Sequence, residues 1–343
     1  MKVTESDAPL SGPRFSDPLA STTLEKVAMA LKVGKRFLLT THKDPDGDGI
    51  GSMLALGQAL LGANKDVVLF TEKPVPEPFD QLRGADRIIH DLNDKEEFDA
   101  VVILDCGEID RLGNSGNSLR KHTIINIDHH ETNDFFGDLN LVKADFSSTG
   151  ELVFGVIKTA GLPMSYDVAE NIFTAIQTDT GSFSYDNTTP NAFKIAAEML
   201  AYGVKPGEVS RKIMGNYRFS RLALLELALG TIEFYHRGQI AVMTLTGDLF
   251  ELAGANCMDS ERFVDYPRFV VGVEIAVLIR QNGENEFKFS LRSNGRVNVA
   301  LLALKFGGGG HARAAGFERY GSVEQVKKEF LEEAAAFLDG TDN

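Results

Sequence analysis

The feature that most constrains the fold is a series of short apolar runs, rich in β-branched residues, with helix-compatible segments between them. These runs predict strands over 36–41, 66–70, 85–89, 101–104 and 123–127. Strands that are apolar along their whole length are buried on both faces, and the helices between them supply the covering layers. The first half of the chain therefore predicts an α/β domain built on a doubly wound parallel sheet.

Helical periodicity takes over beyond residue 149, and a second group of strands and helices begins near residue 239. The apolar spacing predicts helices over 49–62, 150–160, 168–178, 191–202, 218–234, 298–306 and 323–338. Strands are predicted over 240–245, 271–280 and 286–292, with an Asn282-Gly283 hairpin signal between the last two. Thr22 and Glu25 fit a capping box for an earlier helix.

These elements predict two domains after a polar start. The segment 1–20 is predicted to be weakly ordered, because it is polar and contains prolines. An α/β domain is predicted over 21–205, a helical linker over 206–237, and a smaller α/β domain with a mixed sheet over 238–343.

Charge and composition limit the classes of partner. The 49 acidic and 35 basic residues give a net charge of −14, which disfavours broad electrostatic capture of long nucleic acids. A small anionic substrate stays compatible, because a local metal or arginine cluster reverses the field at one site. The two cysteines form no disulfide framework, and the most apolar stretch, 269–279, is too short to span a bilayer. With no signal-peptide pattern at the N-terminus, we expect a cytoplasmic protein without membrane contact.

Side chains that can bind metal follow several of the predicted strands and one helix. The set is His42, Asp46, Asp48, Asp105, Asp128, His129, His130 and Asp179. In an open parallel sheet, ligands bind at the carboxyl edge of the strands. Plainer interpretations exist for single members: a solvated Asp-Gly turn for 46–48, and a turn or helix cap for Asp105. An aspartate at a helix C-terminus, such as Asp179, opposes the macrodipole and favours a functional interpretation.

Six of these residues form a ligand set for two divalent ions. His42, Asp46, Asp48, Asp105, His129 and Asp179 offer four carboxylates and two imidazoles. Such donors are typical of sites for Mn²⁺ or Mg²⁺ rather than of zinc sites with thiolate ligands. Two ions about 3.5–4 Å apart can share a hydroxide that attacks phosphorus in line while they bind the phosphate oxygens.

The chain resembles the DHH phosphoesterase superfamily at four motifs. The matching residues are His42, Pro45, Asp46, Gly47, Asp48, Gly51 and Ser52, then Asp105, then Asp128-His129-His130, then Asp179. The resemblance implies that His42, Asp46, Asp105 and Asp179 hold one ion, and that Asp48, Asp105, His129 and Asp179 hold the other. It also implies that His130 faces the phosphate and that Asp128 orients the neighbouring histidines.

A glycine-rich segment, residues 307–316, indicates which branch of the superfamily the chain resembles. Its glycines allow the backbone to approach a ligand and present amide donors to an anion, although a flexible hinge is the plainer interpretation. The segment resembles the DHH-associated domain type 1, which implies a substrate-binding role. The residues concerned are Arg292, Ser293, Gly308, Gly309, Gly310, His311 and Arg313. Guanidinium groups suit bidentate binding of phosphate.

The resemblance extends to nanoRNases that are bifunctional oligoribonucleases and pAp phosphatases. It implies hydrolysis of di- to tetranucleotides, such as pApA or pGpG, to mononucleotides, with pAp 3′-phosphate as a further substrate and Mn²⁺ preferred over Mg²⁺. The active site would lie in the cleft between the two domains, and the resemblance alone suggests a homodimer. Two alternatives stay open: an exonuclease acting on longer single strands, and a nucleotide sensor without catalysis. A family II pyrophosphatase shares the first motifs but is disfavoured by the glycine-histidine segment.

Overall fold

The computed structural model describes residues 18–93, 95–214 and 217–340. The chain divides into two compact units, Met1–Asn216 and Tyr217–Asn343. Most of the segment 1–20, predicted to be weakly ordered, lies outside the described residues.

The first unit is built on a six-stranded parallel sheet, as the alternating pattern predicts. Its strands are β1 (Arg36–Thr41), β2 (Asp66–Phe70), β3 (Ile88–Ile89), β4 (Ala100–Leu104), β5 (Ile124–Asp128) and β6 (Leu139–Val142). They lie in the order β3-β2-β1-β4-β5-β6, and every neighbouring pair is parallel. The order reverses at β1, so the strands that follow β1 in the chain lie on both sides of it.

Both faces of this sheet are covered, which explains why its strands are mostly apolar. Phe37 and Leu39 of β1 point into one core and Leu38 points into the other. The unit contains α1 (Pro18–Val33), α2 (Gly47–Gly62), α3 (Ser115–Leu119), α4 (Thr149–Ala160), α5 (Tyr166–Asp179), α6 (Pro190–Ala201) and α7 (Pro206–Met214). Residues of α2, α4 and α5 fill the larger core, whereas short elements over 109–119 cover the second face.

The second unit has a mixed sheet, as predicted, with helices on both faces. Its strands are β7 (Glu233–Tyr235), β8 (Ile240–Leu245), β9 (Ile275–Gly283), β10 (Glu286–Ser293), β11 (Gly309–His311) and β12 (Ala314–Tyr320). Its helices are α8 (Phe219–Leu229), α9 (Gly247–Ala253), α10 (Asp265–Arg268), α11 (Val299–Leu304) and α12 (Val323–Gly340). The order is β11-β12-β10-β9-β8-β7, in which the β8–β9 pair is parallel and the other pairs are antiparallel.

The predicted bounds of two elements are wrong. The strand predicted over 85–89 is a 3-10 turn over Ala85–Arg87 followed by the two-residue β3. Gly84, at φ 89°, starts this turn in the left-handed region. The helix predicted over 218–234 ends at Leu229, because Gly230 follows it. The aromatic residues beyond Gly230 pair with β8 as β7 instead.

Three smaller differences also have local causes. The capping box predicted at Thr22 and Glu25 falls inside α1, which begins at Pro18; proline is well suited to a first helical turn. Strand β9 begins at Ile275 rather than at 271, after a turn that places Gly272 at φ 90°. The short strand β6 was not predicted, and α7 lies within the segment 206–237 that was predicted only as a helical linker. None of the helices in the described ranges combines the length and the apolar character required to cross a bilayer.

Candidate metal centre

Three neighbouring strands of the first unit end at one edge of the sheet. β1, β4 and β5 lie side by side, and His42, Asp105 and His129 are the residues that follow them. Parallel strands point the same way, so these side chains converge on the edge where ligands bind in such sheets. Asp46 and Asp48 come from the start of α2, and Asp179 comes from the end of α5. The structure therefore brings all six predicted metal ligands together.

The Nε2 atom of His129 lies among three carboxylates. It is 3.7 Å from Asp48 Oδ2, 3.8 Å from Asp105 Oδ1 and 3.6 Å from Asp179 Oδ2. These separations are too long for hydrogen bonds. An ion with ligand bonds of about 2.1 Å would hold adjacent ligand atoms about 3.0–3.5 Å apart. The other ring nitrogen of His129 lies 3.4 Å from Phe146 O, which suits a tautomer with Nε2 facing an ion.

Asp105 is the carboxylate shared by two groups of ligand atoms. Its Oδ1 faces His129, and its Oδ2 lies 3.7 Å from His42 Nε2. One ligand atom from each of His42, Asp46 and Asp105 lies within 4.8 Å of the others, and the same holds for Asp105, His129 and His130 and for Asp48, His129 and Asp179. Asp105 also adopts φ 54°, a left-handed conformation that is uncommon for non-glycine residues and often found at functional sites. This geometry fits the bridging role that the sequence resemblance implies.

Asp46 and Asp48 are held by the amino ends of two helices. Asp46 is the N-cap of α2, and its Oδ1 accepts hydrogen bonds from the Asp48 and Gly49 amides. Asp48 is buried, and it accepts from the Thr149 and Gly150 amides at the start of α4 at 2.7 and 2.9 Å. The partial positive charge of that helix end favours a carboxylate there. Both acids are therefore fixed before any ion binds.

Gly49 is required by the close approach of β1 to the start of α2. A Cβ atom at this position would lie 2.5 Å from Thr41 Oγ1 and 3.3 Å from Asp105 Oδ2. A side chain here would therefore push the two elements apart and intrude on the ligand carboxylate.

Asp128 and His130 form a separate pair beside the six ligands. Asp128 is fully buried, and its Oδ1 lies 2.7 Å from His130 Nδ1. Its Oδ2 accepts a hydrogen bond of 2.6 Å from Asn133 Nδ2, which also donates to Asn126 Oδ1. His130 Nδ1 is 3.6 Å from Asp105 Oδ1, and these two residues form a third group of candidate ligands with His129. The hydrogen bond to Asp128 fixes the orientation of the His130 ring.

The carboxylates that face one another have displaced pKa values when no ion is bound. Burial, with repulsion from Asp105, Asp179 and Asp46, raises the pKa of Asp48 well above its usual value. Burial likewise raises the pKa of Asp179 to about 7, with Asp46 and Asp105 adding repulsion. Asp105 behaves differently: burial disfavours its charge, but His42, His130 and His129 together hold its pKa below the usual value.

In the Asp128–His130 pair, both pKa values are shifted in the direction that favours the charged form. Burial disfavours both charges, yet the hydrogen bond between them lowers the pKa of Asp128 and contributes to raising the pKa of His130 to about 9. Without bound ions, the pair is therefore an ion pair at neutral pH. Burial raises the pKa of the Cys106 thiol to about 12, so this residue is not a thiolate nucleophile.

These residues fit divalent metal ions. Carboxylate and imidazole donors suit hard and borderline cations, and a cation would offset the repulsion among Asp46, Asp48, Asp105 and Asp179. The Nδ1 atom of buried His42 has no hydrogen-bond partner among the described residues. An unpartnered donor or acceptor is costly in a buried position unless something binds it. The donor set and its spacing thus support divalent metal binding at this edge.

The predicted substrate residues of the second unit lie near one another. Ser293 is buried at the end of β10, and its amide donates to Arg313 O at 3.0 Å. The Arg292 guanidinium Nε lies 3.9 Å from Asp265 Oδ1. Arg313 lies in the turn between β11 and β12, and its Nη2 lies 3.3 Å from where a Cβ at Gly295 would be. The structure therefore gathers these residues at one end of the second sheet.

The glycine-rich segment is an edge strand rather than a flexible hinge. Gly309, Gly310 and His311 pair with β12. Gly310 adopts φ 138°, and a Cβ there would lie 2.5 Å from Ala314 O. A Cβ at Gly308 would collide with Gly316 O and the Phe317 side chain. Glycine is therefore needed at 308 and 310 for close packing of two backbones.

Three residues that contact the predicted site residues were missed from the sequence. Thr149 Oγ1 donates to Asp105 Oδ1 at 3.3 Å, Asn133 donates to Asp128, and Asn187 Nδ2 donates to Asp179 Oδ2 at 3.2 Å. Only Thr149 had a local signal, because Ser148 and Glu151 follow the S-x-x-E capping pattern that marks a helix start. The two asparagines act through tertiary contacts.

The fold and the donor groups define an α/β protein with a candidate two-metal centre at the carboxyl edge of its parallel sheet. The family model described as "DHH family, N-terminal domain" matches residues 36–176, and the "DHHA1 domain" matches residues 239–340. Together these models cover most of the chain. The chain belongs to the DHH family and carries a DHHA1 domain.

Relatives of known name cover nearly the whole chain. The bifunctional oligoribonuclease and PAP phosphatase NrnA of Thermus thermophilus is 35% identical over 90% of this chain and 93% of its own length. The protein of the same name from Bacillus subtilis is 26% identical over 83% of this chain and 89% of its own length. A solved exopolyphosphatase-related protein from Bacteroides fragilis superposes with a TM-score of 0.86, at 29% identity, over 93% of this chain and 98% of that one.

Proposed function

We propose that this protein is a metal-dependent phosphoesterase that hydrolyses short oligonucleotides to mononucleotides and removes the 3′-phosphate of pAp. The observation that carries the proposal is the shared position of Asp105, whose two oxygens face His42 and His129 on either side. A carboxylate between two sets of metal donors is the arrangement that a two-metal site needs. The names of the Thermus thermophilus and Bacillus subtilis relatives support this substrate class.

Each ion has a proposed set of ligands. His42, Asp46, Asp105 and Asp179 would hold one ion, and Asp48, Asp105, His129 and Asp179 would hold the other. When bound, two divalent ions supply Lewis-acid stabilisation of the phosphoryl oxygens and an activated water. We propose Mn²⁺ as the preferred ion and Mg²⁺ as the alternative, since imidazole ligands suit Mn²⁺ better than Mg²⁺.

His130 and Asp128 are proposed to act on the substrate rather than on the ions. The buried Asp128 carboxylate accepts a hydrogen bond from His130 Nδ1, which fixes the ring and favours its protonated form. A fixed imidazolium donates a charge-assisted hydrogen bond to a phosphate oxygen and stabilises charge that develops there. Asn133 fixes Asp128 in turn.

The second unit is proposed to bind the substrate. No atom of the described residues lies within 4 Å of where a Cβ at Gly309 would be, so the backbone of its edge strand β11 is open to a ligand there, and two arginines lie at the same end of the sheet. The proposed contacts are Arg292, Ser293, Gly308, Gly309, Gly310, His311 and Arg313. The net charge of −14 supports short substrates over long strands, because a long polyanion would be repelled outside the site.

A substrate panel tests this function. The panel contains pAp, the dinucleotides pApA and pGpG, RNA and DNA of two to about ten nucleotides, and inorganic polyphosphate, each with Mn²⁺ or Mg²⁺. We expect the highest kcat/KM on two to four nucleotides, with release of mononucleotides and with no turnover after chelation. The Asp105→Asn variant is the control for contaminating nucleases.

Other outcomes would replace the proposal. Rates that rise with length up to about ten nucleotides would favour the exonuclease alternative, and tight dinucleotide binding without turnover would favour a sensor. Polyphosphate is the second candidate substrate, because the Bacteroides fragilis protein is exopolyphosphatase-related. Preferential release of phosphate from polyphosphate would make phosphoanhydrides the substrate class.

A further inference from the structure

A short turn at the start of α4 contacts several of the predicted metal ligands. The turn, residues 146–150, is hereafter the ligand-facing turn. Its Phe146 carbonyl lies 3.4 Å from His129 Nδ1. Its Thr149 and Gly150 amides donate to Asp48, and the Thr149 hydroxyl donates to Asp105. Three ligands are thus contacted directly.

A fourth ligand is tied to the same turn through one side chain. Asn187 Nδ2 donates to Ser147 O at 3.0 Å, to Asp179 O at 3.1 Å and to Asp179 Oδ2 at 3.2 Å. A displacement of Ser147 would therefore release Asn187 from the turn and loosen Asp179. The position of the ligand-facing turn sets the positions of ligands from both proposed ions.

Glu151 fixes the ligand-facing turn from the side away from the ligands. Its side chain is completely buried, and its Oε2 accepts from the Ser147 amide at 3.0 Å and the Ser147 hydroxyl at 2.7 Å. Its Oε1 accepts from Asn191 Nδ2 of α6 at 2.6 Å. A buried carboxylate is costly unless hydrogen bonds compensate it, and both oxygens are used here. The carboxylate thus links α4, α6 and the turn.

We propose that Glu151 is a positioning residue for the metal centre, acting through the ligand-facing turn. The inference rests on the proposed metal-dependent function and concerns how tightly that site holds its ions. Four carboxylates repel one another at this edge, so their spacing must be imposed from outside the ligand set. The turn imposes it with amides and a hydroxyl, and Glu151 holds the turn in place. Residues that orient ligands in this way commonly control metal affinity.

The test measures Mn²⁺ binding directly in the full-length protein. Wild type, Glu151→Ala and Glu151→Gln are stripped with a chelator, and the dissociation constants are measured by calorimetry and by electron paramagnetic resonance of free Mn²⁺. We expect Glu151→Ala to bind Mn²⁺ about 10- to 100-fold more weakly. Glu151→Gln should lose less, because one side-chain oxygen still accepts a hydrogen bond. Saturating Mn²⁺ should restore most of kcat in both variants.

Glu170 provides a matched control. It is equally buried within the same unit, but its carboxylate pairs with Arg83, Lys212 and Tyr166 rather than with the ligand-facing turn. Glu170→Gln should lower the melting temperature and leave Mn²⁺ affinity unchanged. If Glu151 had only a structural role, Glu151→Gln would likewise lower the melting temperature and leave Mn²⁺ affinity unchanged.

Two further measurements keep the proposal falsifiable if Glu151→Ala does not fold. Ser147→Ala removes one of the three hydrogen bonds to Glu151 and should weaken Mn²⁺ binding by a smaller factor in the same direction. Wild-type Mn²⁺ affinity in both Glu151→Gln and Ser147→Ala would overturn the proposal. Absence of nucleotide hydrolysis by a wild type that binds Mn²⁺ would instead contradict the proposed function and leave the positioning role intact.

Discussion

At the scale of single residues, a change at Asp105 should affect the site most, because its two oxygens face different histidines. Replacing it with asparagine keeps the shape and removes the charge from both proposed ion sites. We expect turnover to fall on the order of 1,000-fold or more, since several kcal/mol of transition-state stabilisation depend on the ions. Metal content, measured by mass spectrometry of the purified protein, should fall as well.

Cys106 supplies the control for that variant. It is buried directly beside Asp105, and its thiol donates to Glu108 O. Cys106→Ser should retain turnover within a few-fold. Near-normal activity of Asp105→Asn at saturating Mn²⁺ would contradict the bridging role.

Arg313 tests the proposed substrate contacts of the second unit. Arg313→Ala should raise KM for a dinucleotide about 10- to 100-fold, because a charge-assisted hydrogen bond contributes about 1.5–3 kcal/mol. Metal content should stay normal. Arg319→Ala is the comparison, since Arg319 lies on β12, the strand that follows Arg313, and pairs with Glu329 on the surface. Loss of metal in Arg313→Ala, or equal KM values in the two variants, would show that Arg313 has a different role.

The predicted metal ligands illustrate which parts of a site can be recognised in a sequence. Each predicted ligand lies in a local motif just after a strand or at a helix end, and the parallel sheet brings such positions to one edge. Asn133 and Asn187 could not be found in this way. Their partners, Asp128 and Asp179, are reached through chain geometry that only the folded structure defines.

At the scale of elements, α4 packs so closely on α5 that glycine is needed at position 150. A Cβ there would lie 2.5 Å from Ala175 Cβ. We expect Gly150→Ala to lower the free energy of unfolding by about 1–3 kcal/mol through overpacking, as measured by urea denaturation. The amide of Gly150 also binds Asp48, so Mn²⁺ affinity should fall with it.

A compensating change and a control define this effect. Ala175→Gly in the Gly150→Ala background should recover part of the lost stability by removing the opposing methyl group. Gly207→Ala in α7, where nothing among the described residues lies within 4 Å of a new Cβ, should be neutral or stabilising by about 0.5–1 kcal/mol. Equal losses at 150 and 207 would mean that helix packing is not the cause.

Short edge strands show the limit of sequence analysis at this scale. The strands β1, β2, β4 and β5 can be recognised from their apolar runs, whereas β6 has only four residues and β7 only three. Such strands form because a neighbouring strand offers unpaired amides and carbonyls, and their own composition contributes little. The helix predicted over 218–234 was too long because the residues of β7 continue the apolar spacing of α8.

At the scale of the whole molecule, the acidic cluster should make stability depend on pH and on metal. In the metal-free protein the pKa of Asp179 is raised to about 7, and that of Asp48 is raised as well. A carboxyl with a raised pKa binds more protons in the folded state than in the unfolded state. The free energy of unfolding therefore falls as pH rises from about 4 to about 7.

Thermal denaturation across this pH range measures the effect. After chelation, the melting temperature of the wild type should fall with rising pH relative to that of Asp179→Asn, by about 2–4 °C for each kcal/mol of lost stability. Mn²⁺ at pH 7 should raise the melting temperature of the wild type, because an ion that binds only the folded state stabilises it by mass action. Parallel melting curves for the two metal-free proteins would contradict the cause assigned to Asp179.

The wide spacing of the ligands along the chain has a consequence for the order of events during synthesis. The six residues run from His42 to Asp179 and come from the ends of three strands and two helices. No short stretch of nascent chain can assemble the set, because α5 must already be packed on α2. With the proposed ligand set, metal would therefore be selected by a folded domain of preset ligand spacing rather than by an unfolded chain that takes whichever cation binds most tightly.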